Sequence, residues 1–164
     1  MSRVGAVVLA AGAASRYGSP KQQLFLPRVL DALRESSIDD VVVVSGAHEL
    51  TTDARVVRCD DWERGPGASL RCGLSALAPE VEAAVVVLAD GPSLAPAAID
   101  RVVAEWRATG GDALAASYDG ETRSHPVLLD RAIWSSIPDA GARALDVDLV
   151  RCDDLRPPGD RDEP

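Results

Sequence analysis

Three short, valine-rich apolar runs constrain the fold of this chain more than any other feature. They cover residues 4–11, 41–45 and 83–89, and each is nearly continuous rather than alternating. Strands that are buried on both faces have such continuous apolar sequences, and they belong to parallel sheets. The runs start about forty residues apart, which leaves room for a crossover helix between them. The sequence therefore predicts an α/β fold with a doubly wound, mostly parallel sheet.

Weaker signals fill the space between these runs. Apolar spacing predicts three helices, and Ser69 is the expected N-cap of the second. A length of 164 residues indicates a single domain over residues 1–152, followed by an acidic, Pro-rich tail over 153–164 that we expect to be disordered. The predicted helices span 27–36, 69–78 and 96–108, and further strands are expected at 55–58, 112–117, 125–129 and 148–152.

Charge and cysteine content narrow the class of protein. The chain carries 17 basic and 26 acidic residues, a net charge of −9, which argues against nucleic-acid binding but leaves room for one basic pocket for a phosphorylated small molecule. No apolar run approaches the roughly 18 residues that span a bilayer. The three cysteines are widely spaced and form no C-x-x-C pair. We expect them to be reduced thiols that pack as small hydrophobic side chains in the cytoplasm.

The loop after the first run has the composition of a phosphate-binding loop. Residues 9–21 carry two glycines, two serines, Arg16 and Lys21, the only lysine of the chain. Small residues let the backbone approach a ligand closely, and turns expose N–H groups that hold phosphate oxygens. The glycine spacing fits neither a Walker A loop nor the dinucleotide-binding fingerprint. A plain turn with two surface bases is the alternative interpretation.

An aspartate follows the third run directly. Asp90 stands where ligands bind in open α/β sheets, beyond the carboxyl end of a buried strand. A carboxylate suits Mg²⁺, which proteins hold with one or two carboxylates and substrate phosphates. The alternative is that Asp90 only opens the turn formed by Gly91 and Pro92. Further along, the glycine-rich entry to the second helix predicts free backbone N–H groups for a ligand.

Residues 9–21, Leu-Ala-Ala-Gly-Ala-Ala-Ser-Arg-Tyr-Gly-Ser-Pro-Lys, resemble the signature loop of the nucleotidyltransferases. Within them the loop is most similar to the molybdenum cofactor cytidylyltransferase and guanylyltransferase group, with Tyr17 where Met is usual. The resemblance implies that the loop wraps a nucleoside triphosphate and that Arg16 and Lys21 are catalytic groups on its phosphates. The implied nucleotide-binding residues of this loop are Leu9, Ala10, Ala11, Gly12, Ala13, Arg16 and Lys21.

Other segments extend the resemblance over most of the chain. Asp90-Gly91-Pro92 is similar to the Asp-x-Pro motif of the family, which implies that Asp90 is the catalytic metal ligand. Residues 62–71 resemble the segment near the nucleotide base, which implies that Ser69 and Leu70 bind the nucleotide. Residues 125–128 and 139–143 are similar to segments on the acceptor side, so His125 and Arg143 are implied there. Ser124 and Pro138 stand where the family has glycine.

The resemblance implies a Mg²⁺-dependent cytoplasmic enzyme. It would transfer CMP or GMP from CTP or GTP to a phosphorylated acceptor, molybdopterin, with release of pyrophosphate, and a molybdoenzyme-maturation protein would be its partner. The segment after Lys21 is shorter than in the family. Two alternatives therefore stay open: a nucleotide-binding protein without turnover, or an enzyme with another acceptor or reaction, such as an oxidoreductase, on the same scaffold.

Overall fold

The computed structural model describes residues 3–10, 21–46 and 49–159. Within these ranges every strand predicted from the sequence is present, with ends shifted by no more than two residues. The strands are β1 (Arg3–Ala10), β2 (Asp40–Ser45), β3 (Val56–Arg58), β4 (Val81–Leu88), β5 (Ala113–Ser117), β6 (Val127–Asp130) and β7 (Asp148–Arg151). The helices are α1 (Lys21–Arg34), α2 (Pro66–Ala76) and α3 (Pro96–Thr109), with 3₁₀ turns at Trp62–Arg64, Arg131–Ser136 and Ala142–Ala144.

All seven strands form one sheet in the order β3-β2-β1-β4-β6-β5-β7. The strands β3, β2, β1 and β4 are parallel, and Val7 of β1 lies between Val42 of β2 and Val86 of β4. Only β6 runs against its neighbours, because it pairs antiparallel with both β4 and β5. The predicted doubly wound, mostly parallel α/β class is confirmed.

Helices cover both faces of the sheet and bury the valines of β1 and β4. On one face, Val8 of β1 packs into a core with side chains of α1 and α3. On the other face, Val7 packs into a core with side chains of α2. Successive residues of a strand point to opposite faces, so each central strand supplies both cores. This is why its sequence is a continuous apolar run and not an alternating one.

Two of the predicted helices begin earlier than expected. The buried stripe of α1 starts at Leu26, one residue before Pro27, and Pro27 itself lies inside the helix on its exposed side. The helix begins at Lys21, so the residues that directly follow Lys21 form its first turns. The N-cap of α2 is Gly65, with Pro66 at the first helical position. Ser69 is therefore not a cap, and α3 closely matches its prediction.

The expectation of three reduced cysteines is wrong. Cys59, which follows β3, and Cys72 in α2 form a disulfide with their Cα atoms 5.9 Å apart. Cys152 is a buried free thiol, as expected. The packing of α2 against β2 and β3 brings the first two together. The two cysteines are 13 positions apart in sequence, and the residues between them carry no sign of this contact.

The prediction of a disordered tail is wrong for residues 153–159. Asp154 accepts two hydrogen bonds from Arg101 of α3, at 2.6 and 2.7 Å. Ser93, in the turn after β4, donates its backbone N–H to the carbonyl of Pro158 at 2.8 Å. Leu155 packs against the core. Residues 160–164 lie outside the described part of the chain.

None of the helices in the described ranges is both long and apolar enough to cross a membrane. The longest of them, α1 and α3, have 14 residues each. A helix needs about 20 apolar residues to cross the hydrocarbon core of a bilayer.

We predict that the Cys59–Cys72 disulfide forms in the purified chain and stabilises it. For a loop of this length, the chain-entropy model gives about 3 kcal/mol. Thiol titration of the unreduced, denatured chain should find one thiol, and titration after reduction should find three. Cys72→Ser should lower the free energy of unfolding in urea, whereas reductant should lower it for wild type but not for the variant. Three free thiols without reduction would contradict the prediction.

Candidate active site

The carboxyl ends of β1 and β4 meet at one edge of the sheet. The backbone carbonyl of Leu9 in β1 accepts a hydrogen bond from the N–H of Ala89 at 3.0 Å, so the two segments stay paired up to the residue before Asp90. There the chain turns, with the N–H of Gly91 bonded to the carbonyl of Leu88 at 3.2 Å. Asp90 is half-buried at this turn. A carboxylate thus stands at the ligand-binding edge, as its position in the sequence indicates.

A cavity of about 410 Å³ opens on the α2 face of this edge. Its floor is the sheet, and its walls come from the start of α2 and from two loops of the C-terminal third. The volume lies in the lower half of the roughly 300–1,000 Å³ range of small-molecule pockets. The cavity is lined by Leu9, Pro66, Leu70, Val86, Leu88, Arg123, Ser124, His125, Val127, Ala140, Gly141, Ala142 and Arg143.

Four of the residues predicted for the site line this one cavity. Leu9 and Leu70, assigned to the nucleotide, face the same space as His125 and Arg143, assigned to the acceptor. The reversed strand β6 explains the meeting, because its first residue, Val127, pairs with Val86 near the end of β4. The residues before β6 therefore arrive at the edge where β1 and β4 end. The structure joins two regions that the sequence left separate.

Two predicted nucleotide-binding residues are placed elsewhere. Ser69 is 3% exposed within α2 and does not line the cavity, although Leu70 beside it does. Ala10 is buried in the core on the opposite face of the sheet, with α1 and α3. Any contact of these two residues with a ligand would run through backbone atoms.

Part of the predicted phosphate loop falls outside the described residues. This applies to Ala11, Gly12, Ala13 and Arg16. Lys21 is the first residue of α1. The position of Lys21 follows from the fold, because α1 is the helix that follows β1 in the sequence.

His125 is held in its neutral form. Burial is the main cause that lowers its pKa to about 4. The negative charge of Asp90 acts to raise this pKa, and the positive charge of Arg123 acts to lower it. The Tyr118 hydroxyl donates to the His125 carbonyl at 2.7 Å and fixes the loop before β6. At neutral pH the imidazole therefore offers one hydrogen-bond donor and one acceptor to the cavity.

Arg123 is a structural residue of the site that the sequence did not reveal. Its guanidinium donates to the carbonyls of Leu145 at 2.6 Å and Ala142 at 2.8 Å. These bonds tie the loop before β6 to the 3₁₀ turn that carries Arg143, which lines the cavity. The partners lie 22 and 19 residues away in sequence, and no local pattern pairs an arginine with distant carbonyl groups.

Residues 6–151 match the family described as the MobA-like NTP transferase domain. Rv0371c from Mycobacterium tuberculosis H37Rv is 26% identical with a TM-score of 0.76, over 92% of this chain and 88% of that one. Its manganese complex aligns at 24% identity and a TM-score of 0.72, over 92% and 88% of the two chains. Mth528, a nucleotidyl transferase from a Methanothermobacter species, is 22% identical with a TM-score of 0.71, over 86% of this chain and 79% of that one. No curated protein matches the chain.

These matches agree with the architecture described above. The structural likenesses below 25% identity establish the fold, and the family match spans both the strand carrying Leu9 and the loop carrying Arg143. It also includes Asp90 and the residues that line the cavity. The chain therefore belongs to the family of MobA-like NTP transferase domains and is a nucleotidyltransferase.

Proposed function

We propose that the protein transfers CMP or GMP from CTP or GTP to a phosphorylated acceptor, molybdopterin, and releases pyrophosphate. The observation that carries this proposal is the cavity at the carboxyl ends of β1 and β4, the edge where Asp90 follows β4, although Asp90 itself is not among the lining residues. A cavity at that edge is where an open α/β sheet binds its ligands. The cytoplasm, which supplies both nucleotides, is the proposed location.

The reaction requires positioning and charge neutralisation more than covalent chemistry. A phosphate oxygen of the acceptor attacks the α-phosphorus of the nucleotide, the bond to the β-phosphate oxygen breaks, and pyrophosphate leaves. We assign Arg16 and Lys21 to the phosphate oxygens and the backbone N–H groups of 11–13 to the same triphosphate. Leu9 and Leu70 pack against the nucleotide, and His125 and Arg143 bind the acceptor.

The donor set at this edge fits Mg²⁺ bound largely by substrate. The described residues contain no group of three or more His, Cys, Asp or Glu that could enclose a metal ion. Mg²⁺ commonly accepts one or two carboxylates and completes its shell with phosphates and water. Asp90 is the carboxylate we assign, and the manganese complex of Rv0371c supports a divalent ion. When bound, the ion neutralises negative charge that develops on the phosphates.

The direct test combines the purified chain with Mg²⁺, molybdopterin and either CTP or GTP. Pyrophosphate release is followed by a coupled assay, and the product is identified by its mass. We expect release only when nucleotide and acceptor are both present. Nucleotide binding without any pyrophosphate release would reject molybdopterin as the acceptor. Product formed with ATP as readily as with CTP and GTP would reject the proposed base specificity.

Asp90→Asn should abolish the metal dependence of the enzyme. The amide keeps the size of the side chain but loses the charge that holds Mg²⁺, so turnover should fall by about 10² or more. Mg²⁺ should no longer raise nucleotide affinity. Glu82→Gln is the matched control, since Glu82 is exposed near the start of β4, the strand that Asp90 follows. Calorimetry and initial rates across a Mg²⁺ titration measure both effects, and Mg²⁺-dependent turnover retained by Asp90→Asn would refute the assignment.

Lys21→Ala should slow transfer while leaving the response to Mg²⁺ intact. Loss of one charged donor to the transition state costs about 10²–10³ in rate. Lys21→Arg is not expected to restore it, because a planar guanidinium does not replace a compact ammonium group. Arg28→Ala, a change at an exposed position on the same helix, is the control. Rates of Lys21→Ala within twofold of wild type would contradict a catalytic role.

His125 should stay uncharged through the physiological pH range. Because its pKa is about 4 in the folded chain and about 6.5 when unfolded, the unfolded chain binds more protons between these values. The stability of wild type should therefore fall from pH 6.5 to pH 4 more steeply than that of His125→Gln. NMR titration of the imidazole and chemical denaturation at several pH values measure this. A titration midpoint near 6.5 in the folded chain would contradict it.

A further inference from the structure

Two chain segments meet tightly beside the cavity, residues 64–71 and residues 137–141, and we call this contact the seam. The backbone N–H of Gly67 donates to the carbonyl of Asp139 at 2.8 Å. Arg71 donates through one guanidinium nitrogen to the carbonyl of Ile137 at 2.6 Å and through the other to the Asp139 carboxylate at 2.6 Å. The start of α2 is thereby fixed to a loop nearly seventy residues later.

Glycine is required at the seam because the two backbones touch. A Cβ atom at Gly67 would lie 1.7 Å from the carbonyl oxygen of Pro138, so a side chain there would force the two backbones apart. Gly65 has a φ of +131°, and a Cβ there would lie 2.5 Å from the carbonyl oxygen of Asp139. The closeness of the contact explains the glycine-rich entry to α2 without any ligand.

The Asp139 carboxylate makes its contacts within the seam, with Arg71 and Arg64. Its hydrogen bond with Arg71 lowers its pKa, and the charge of Arg64, 3.4 Å away, adds to the effect. Asp139 is absent from the cavity lining, although the next four residues, 140–143, all belong to it. Arg71 donates to a backbone carbonyl and to a carboxylate from two different nitrogens of its planar guanidinium, which the single nitrogen of a lysine would not reproduce.

The two segments that meet at the seam continue into adjoining walls of the cavity, and a Cβ atom at Gly141 would lie 3.3 Å from Pro66. Pro66 and Leu70 come from one segment, and the residues 140–143 continue directly from the other. The width of the cavity therefore depends on how closely the segments are held. We propose that Arg71 and Asp139 are positioning residues for nucleotidyl transfer, which hold the wall formed by residues 140–143 at its distance from Leu70. This inference rests on the proposed function of the cavity as the place where the acceptor meets the nucleotide.

The test opens the seam in two unrelated ways. Asp139→Asn removes charge, and Gly67→Ala inserts a methyl group between the backbones. Each has a matched control away from the cavity. Asp154→Asn weakens an ion pair of the same kind with Arg101, and Gly110→Ala changes a glycine with positive φ at which an added Cβ atom would have no neighbour within 4 Å. Thermal unfolding confirms that all four variants fold.

Three experiments are carried out on each variant. Tryptic cleavage after Arg143, followed by mass spectrometry under native conditions, reports whether the loop has been released. Steady-state rates give kcat and the KM for molybdopterin, and calorimetry gives the Kd for CTP and GTP with Mg²⁺. A role in stability alone would accelerate the cleavage but would not separate KM from kcat.

We expect both seam variants to be cleaved at least tenfold faster and to raise the KM for molybdopterin at least tenfold. Their kcat and nucleotide Kd should stay within twofold of wild type, and the controls should match wild type throughout. Faster cleavage with an unchanged KM, or unchanged cleavage, overturns the positioning role. If wild type releases no pyrophosphate with molybdopterin, that acceptor is wrong. The seam is then judged on cleavage after Arg143, where at least tenfold faster cleavage in both variants supports its hold on residues 140–143 and unchanged cleavage overturns it.

Discussion

The pairing of β1 with β2 and β4 is the interaction on which the rest of this structure depends. Three parallel strands lie side by side with both faces covered, so their backbone N–H and carbonyl groups have no access to water and must bond to one another. That requirement sets the register, and the register brings the ends of β1 and β4 to a common edge. The cavity and Asp90 lie at that edge because the strands end there.

Much of the fold follows from local sequence, as the strands demonstrate. A strand buried on both faces must be apolar at every position. The runs at 4–11, 41–45 and 83–89 can therefore be recognised as buried strands from the sequence alone. Helix starts are less visible. The stripe of α1 continues through Leu26, upstream of Pro27, and proline is a misleading marker when it sits on the exposed side of a helix. Likewise Ser69 has the chemistry of a cap, yet the backbone contact at Gly65 and Gly67 decides where α2 begins.

The candidate site is less predictable because it is assembled from distant segments. The position of Asp90 could be inferred, since a strand end is a local feature. The meeting of Leu70 with Arg143 could not, because it depends on the reversed direction of β6 and on the bonds of Arg123. The same holds for Cys59 and Cys72 and for the tail held by Arg101. In each case the partners are joined by tertiary packing, and neither partner is unusual in its own neighbourhood.

The reversal of β6 has a consequence for how such a domain diversifies. Because β5 ends and β6 begins at the edge where β1 and β4 end, the hairpin connection at residues 118–126 projects beside the cavity and not at the opposite end of the sheet. Both strands that flank it are anchored by ladder hydrogen bonds, so residues can be inserted or deleted between them without disturbing the sheet register. A change in the length of this one surface hairpin can therefore reshape the cavity, while the strands that end beside Asp90 keep their sequence.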